Sequence, residues 1–267
     1  MTRLAANLSM MFTELPFLDR FDAAADAGFG AVEFLFPYDW PAEVVAERAA
    51  RRGLSIVLFN TPSGDWGAGE RGLGALPDRV DECRAGMETA LAYARALGCP
   101  RLHLMAGIPG AQGAAAARET LVANVAFAAD LVAGDGIDIM LEPINTRHDI
   151  PGYFYDTTEA AMSVIRDAGR ANVKLQYDIY HMQIMEGDLA RSIERLLPSI
   201  GHMQLADNPG RGEPGTGEIA YPWLLGKIDA LGYQGWIGCE YKPAAGTVAG
   251  LGWTTPYLRA AEMETGA

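Results

Sequence analysis

A chain of 267 residues with 34 Asp and Glu against 21 Lys and Arg carries a formal charge of −13, which argues against nucleic acid or an anionic lipid surface as its partner. Its hydrophobic fraction of 49% is ample for one large core, and ~250 residues is the usual size of a single β/α barrel domain. Cys83, Cys99 and Cys239 are too few for a disulfide framework and fit a reducing compartment. No run reaches the ~18 apolar residues of a membrane span, and Asn7 and Ser9 interrupt any secretory apolar region. The expectation is a cytoplasmic protein without nucleic-acid or membrane partners, with homo-oligomerisation left open.

In chain order, Leu4 to Met10 is the first strand candidate, and Phe17 to Ala25 has helical spacing with a stop at Gly28. Ala31 to Phe36 is a second strand, closed by Pro37. Pro41 to Arg52 is a helix with proline in its first turn and Gly53 beyond its end. Leu54 to Asn60 is a third strand. Thr61 to Leu76 is a long loop carrying Gly64, Gly67, Gly69, Gly72 and Gly74; following a strand, it suits a lid over a barrel mouth. Pro77 to Gly98 is a long amphipathic helix, and Arg101 to Gly107 a fourth strand. Helices over 114–133, 156–168, 189–197 and 221–231 then alternate with strands ending at Glu142, Asp178, Gln204 and Glu240. A last helix is predicted over 254–264. Eight strands that are apolar on both faces, alternating with about eight helices, predict one (β/α)8 barrel spanning residues 1–267.

Each of the last four strands is an apolar run that ends abruptly in an oxygen-bearing side chain: Ile139-Met140-Leu141-Glu142, Leu175-Gln176-Tyr177-Asp178, Gly201-His202-Met203-Gln204 and Ile237-Gly238-Cys239-Glu240. The intervals (178−142, 204−178, 240−204) are 36, 26 and 36 residues, close to the ~30 or more of a strand-plus-helix unit. The four groups are therefore expected at one depth, at the C-terminal ends of parallel strands, where a barrel carries its chemistry. Three carboxylates brought together must take up protons or bind a cation, and an all-oxygen set suits Mg²⁺ or Mn²⁺. His181, three residues past Asp178, is either a binder of substrate oxygen or structural. Arg211, in the loop after strand seven, is either a bidentate carboxylate clamp or a surface residue. His202 is a supporting partner or a spacer, and His103 and His148 are read as structural. The glycines after Asp207 lack the lysine and spacing of a phosphate loop.

Ala6-Asn7-Leu8-Ser9-Met10, Val32-Glu33-Phe34, Gly64-Asp65, Leu141-Glu142-Pro143-Ile144-Asn145, Gln176-Tyr177-Asp178-Ile179-Tyr180-His181, the run from Gly210 to Gly215 and the run from Gly235 to Pro243 occur in that order. Together they resemble the hydroxypyruvate isomerase family within the xylose-isomerase-like barrel superfamily. The resemblance implies that Glu142 and Glu240 form the acid/base pair, and that Glu142, Asp178, Gln204 and Glu240 hold a divalent metal with no organic cofactor. It also implies that His181 and Arg211 bind a small sugar acid. Many superfamily members have histidine where this chain has Gln204. The reaction implied interconverts hydroxypyruvate and tartronate semialdehyde through an enediolate. The 2-oxo-tetronate isomerases, which the stretches 6–12 and 31–38 resemble equally well, remain an alternative, as does a metal-dependent ketose 3-epimerase. A DNA-repair phosphodiesterase on the same barrel would need a histidine-rich multi-zinc site, and the chain has only four histidines. A non-enzymatic sugar-acid sensor would bind ligand without proton exchange.

Overall fold

The eight strands close on themselves in chain order: β1 (Arg3–Asn7), β2 (Ala31–Phe34), β3 (Ser55–Asn60), β4 (Arg101–His103), β5 (Asp138–Leu141), β6 (Val173–Asp178), β7 (Ile200–Leu205) and β8 (Trp236–Cys239). All neighbours are parallel, and β1 pairs with β8 to seal the ring. These assignments come from a computed structural model that describes residues 1–110 and 113–258. The helices are α1 (Arg20–Asp26), α2 (Ala42–Arg51), α3 (Val80–Leu97), α4 (Ala114–Val132), α5 (Thr158–Ala168), α6 (Ile179–Met185), α7 (Leu189–Leu196) and α8 (Tyr221–Ala230).

Local sequence sets the helix ends. Thr157 caps α5 by accepting from the Ala160 amide, and Gly169 closes it in the left-handed region at φ 61°. Gly98 closes α3 in the same way, below a buried stripe of Cys83, Met87, Leu91 and Ala94. Helix α6 is a departure from the sequence reading. Ile179 to Met185 is largely apolar and shows no polar face, yet Asp178 caps it, its Oδ1 accepting from the amides of Tyr180 (2.7 Å) and His181 (3.4 Å). Near the end of the chain a 3-10 turn spans Val248–Thr254 and residues 255–258 are helical; the remainder of the helix predicted over 254–264 lies outside the described residues.

The glycine-rich loop is stitched down over its second half. Gly72 N donates to Ser63 O (3.0 Å), Gly74 N to Met105 O (3.1 Å) and Ala75 N to Ala106 O (2.7 Å). A Cβ on Gly72 would lie 2.5 Å from Met105 O, so the close approach of the two backbones requires glycine there. Glu70 ties the first half by accepting from Asp65 N and from Arg79. Trp66 is left at the tip, 37% exposed, stacked by Arg71 and tilted against Phe36.

Candidate active site

Register shows why the strand-end residues converge and why they are not level. Asp178 pairs with Gln204, and Gln204 with Gly238. Glu240 therefore stands two residues nearer the mouth than Gln204. Strands in a closed barrel are staggered, so equal spacing from the end of an apolar run does not mean equal depth.

At the mouth, Glu142, Asp178, His181 and Glu240 each offer one atom within 4.8 Å of the others, and all four are buried. Among the described residues Glu142 Oε1 and Asp178 Oδ2 have no hydrogen-bond partner, although buried polar atoms are normally satisfied. His181 Nε2 lies 3.7 Å from the first and 3.6 Å from the second. Arg211 reaches the cluster from the loop after β7: Nη2 donates to Glu240 Oε2 (2.7 Å) and lies 4.0 Å from Asp178 Oδ2, while Nη1 donates to Asp149 Oδ1 (2.9 Å). Its backbone sits at φ 53°, a left-handed conformation that a non-glycine residue adopts at a cost. The loop is held by Asp207, a fully buried carboxylate. Its oxygens accept from the amides of Asn208, Gly215, Gly217 and Ile219 at 2.8–3.1 Å.

Burial opposes charge on these acids. It raises Glu142 well above its ordinary value, reinforced by Glu240 and Asp178. It raises Glu240 to about 8 against the pull of Arg211, and Asp178 to about 6 against Arg211 and the two capping amides. Burial alone would lower Arg211, but Glu240, Asp178 and Asp149 keep it above the ordinary arginine range. Burial, with Arg211 second, pushes His181 well below its ordinary value, so it is neutral. Three buried carboxylates against one guanidinium, with two orphaned oxygens, fit a divalent cation.

His103, read from the sequence as structural, belongs to the site. Its Nδ1 is 3.5 Å from Glu142 Oε2 and 3.2 Å from Asn60 Oδ1, and burial drives its pKa to about 3. A histidine on an apolar strand gives no sign of its neighbour until the barrel closes. His148 is exposed and contributes only its amide. Gln204, paired with Asp178 across β6 and β7, is held by two side chains: Nε2 donates to Glu33 Oε1 (2.8 Å) and Oε1 accepts from Gln176 (2.6 Å). His202 Nε2 pairs with Glu33 Oε2 (2.6 Å), and Asn7 Nδ2 bridges Glu33 (2.9 Å) and Glu240 (3.4 Å). Glu33, fully buried beneath the cluster, was not singled out from the sequence. A cavity of about 680 Å³ opens above, lined by Glu142, His181, Arg211, Glu240, Trp66 and Lys242 among others.

Comparison with known proteins agrees with this architecture. A family model described as xylose isomerase-like TIM barrel matches residues 21–257. The chain is 52% identical over 259 residues to a 2-oxo-tetronate isomerase of Cupriavidus necator, covering 97% of this chain and 99% of that one. It is 47% identical over 258 residues to a hydroxypyruvate isomerase of Escherichia coli, covering 96% and 100%. A crystal structure from Brucella melitensis, named AP endonuclease, family 2, superposes with a TM-score of 0.94 at 49% identity, covering 96% of this chain and 99% of that one. With relatives this similar along nearly their whole length, the chain belongs to the xylose isomerase-like TIM barrel family and groups there with its sugar-acid isomerases.

Proposed function

We propose that the protein interconverts hydroxypyruvate and tartronate semialdehyde, with Glu142 and Glu240 as the acid/base pair and Glu142, Asp178, Gln204 and Glu240 holding Mg²⁺ or Mn²⁺. The observation that carries this reading is the convergence of two buried glutamates on one cavity beside an arginine. Hard oxygen donors suit Mg²⁺ or Mn²⁺, which when bound would act as a Lewis acid on the substrate's carbonyl and hydroxyl oxygens.

The chain's own residues do the rest. One glutamate removes a proton from C3 of hydroxypyruvate, and the C3–H electrons form the C2–C3 double bond of the enediolate. The carbonyl electron pair moves onto the C2 oxygen; the second glutamate takes the C3 hydroxyl proton and delivers it to C2, and the first passes its proton to the C2 oxygen, so both end as they began. No redox cofactor is required, because the oxidation of C3 balances the reduction of C2. Arg211 binds the substrate carboxylate; its buried Nε has no partner among the described residues and is free to donate. Trp66 and Arg71 screen the mouth from water.

A second substrate also suits the cavity. At about 680 Å³ it exceeds what a three-carbon acid fills, and a four-carbon 2-oxo-tetronate has the same carbonyl and neighbouring hydroxyl. Nucleic-acid cleavage is disfavoured by the −13 charge and by a cluster with a single histidine. The test is to offer hydroxypyruvate and 2-oxo-tetronates in parallel, with MgCl₂ or MnCl₂, and to follow product aldehyde or ketone by NMR. Turnover of either acid supports the isomerase reading and ranks the two; turnover of neither overturns it.

A further inference from the structure

We infer that Asn145 is a positioning residue that locks His181 in the tautomer with its proton on Nε2, so that His181 faces the carboxylates as a hydrogen-bond donor and leaves the cation an all-oxygen site. Asn145 lies three residues past Glu142 in the segment leaving β5 and is fully buried. Amide oxygen and nitrogen are assigned from their surroundings, and here the surroundings decide. Oδ1 accepts from two backbone amides, His148 N at 2.9 Å and Asp149 N at 3.1 Å. Nδ2 faces the carboxylate Oδ2 of Asp149 and, at 2.7 Å, Nδ1 of His181. Flipping the amide would set an NH₂ against two N–H groups and an oxygen against a carboxylate. Both of its protons are thus committed, one to Asp149 and one to His181. A proton on His181 Nδ1 would point at a donor, so Nδ1 must accept and Nε2 must carry the proton.

That N–H lies within 3.7 Å of Glu142 Oε1 and Asp178 Oδ2, the two orphaned oxygens of the cluster. Judged by distance alone, His181 Nε2 would serve as a metal ligand, but a protonated nitrogen has no lone pair to give. Its task becomes donation to a substrate oxygen or to the carboxylate edge, and metal choice passes to Glu142, Asp178 and Glu240. A hard cation is then favoured over zinc, which prefers nitrogen.

The inference rests on the proposed site but is read without substrate, so it stands or falls separately from the activity. Protein labelled with ¹⁵N-histidine is examined by imidazole ¹H–¹⁵N correlation, metal-free and with MgCl₂. With four histidines in the chain, His181 is assigned by the signal lost in His181→Gln. The expected pattern is neutral, with an accepting Nδ1 and a protonated Nε2 that persists when Mg²⁺ is added. A protonated Nδ1, or loss of the Nε2 proton on adding Mg²⁺, overturns the inference. Asn145→Asp keeps an acceptor for the two amides and turns an oxygen toward Nδ1. It should move the proton to Nδ1 and raise Zn²⁺ affinity relative to Mg²⁺ about tenfold. A folded Asn145→Asp protein that retains the Nε2 proton also overturns the inference; if that variant does not fold, the wild-type spectra decide alone.

Discussion

Cation binding at the carboxylate cluster should expel about one proton or more at pH 7. In the metal-free site Glu240 titrates at about 8 and so holds a proton at neutral pH, and burial pushes Glu142 upward in the same direction. Asp178, at about 6, is ionised and balanced by Arg211. A divalent cation entering this site displaces the Glu240 proton together with any that Glu142 holds. Affinity should then fall by about tenfold or more for each pH unit below 8, which is about 1.4 kcal/mol per proton. Above 8 the dependence weakens as Glu240 ionises by itself. Calorimetric titration of Mg²⁺ or Mn²⁺ into EDTA-stripped protein, repeated in buffers of different ionisation enthalpy, counts the protons. Release near zero at pH 7, with constant affinity from pH 6 to 8, would refute the argument that burial keeps these acids protonated.

The same shifts affect metal-free stability. Glu142, Asp178 and Glu240 all have folded values above their unfolded ones, so their contribution is complete below about pH 4 and is lost as pH rises toward 8; the melting temperature of stripped protein should fall over that window, and saturating Mg²⁺ should flatten the slope. Asp207→Ala removes the acceptor of four backbone amides in the loop carrying Arg211 and should raise KM about tenfold or more, with proteolysis appearing near residues 208–217; unchanged KM and protease resistance would contradict that role. Gly238→Ala puts a Cβ 2.2 Å from the Glu33 carboxylate, inside the barrel. Chemical denaturation should show a loss of about 1–3 kcal/mol, and wild-type stability would mean that Glu33 is free to move.

What was legible in the sequence follows from what depends on one strand alone. Glu142, Asp178 and Glu240 each terminate an apolar run, and parallel strands put such ends at the mouth, so their convergence could be read directly. Arg211 was visible as the one basic residue in its loop. Gln204 pairs with Asp178 but stands two residues behind Glu240, an offset hidden until the barrel closes. Glu33 and Asn7 were invisible as a network: each sits on an otherwise apolar strand, and their partners His202, Gln204 and Glu240 are more than 160 residues away. His103 gave no signal because its partners, Asn60 on β3 and Glu142 directly after β5, lie on the neighbouring units and meet it only in the closed barrel. Helix α6 was missed because its seven residues present no polar face, and only the Asp178 cap marks its start.

The most direct measurement of the central claim is carbon-bound deuterium uptake by hydroxypyruvate in D₂O with Mg²⁺ or Mn²⁺, followed by proton NMR for wild type, Glu142→Gln and Glu240→Gln. If the two glutamates share one substrate, wild type should place deuterium at C2 of the tartronate semialdehyde that forms and, on reversal, at C3 of hydroxypyruvate, and each variant should turn over about 100-fold more slowly or less. Near-wild-type turnover in both variants would contradict the account.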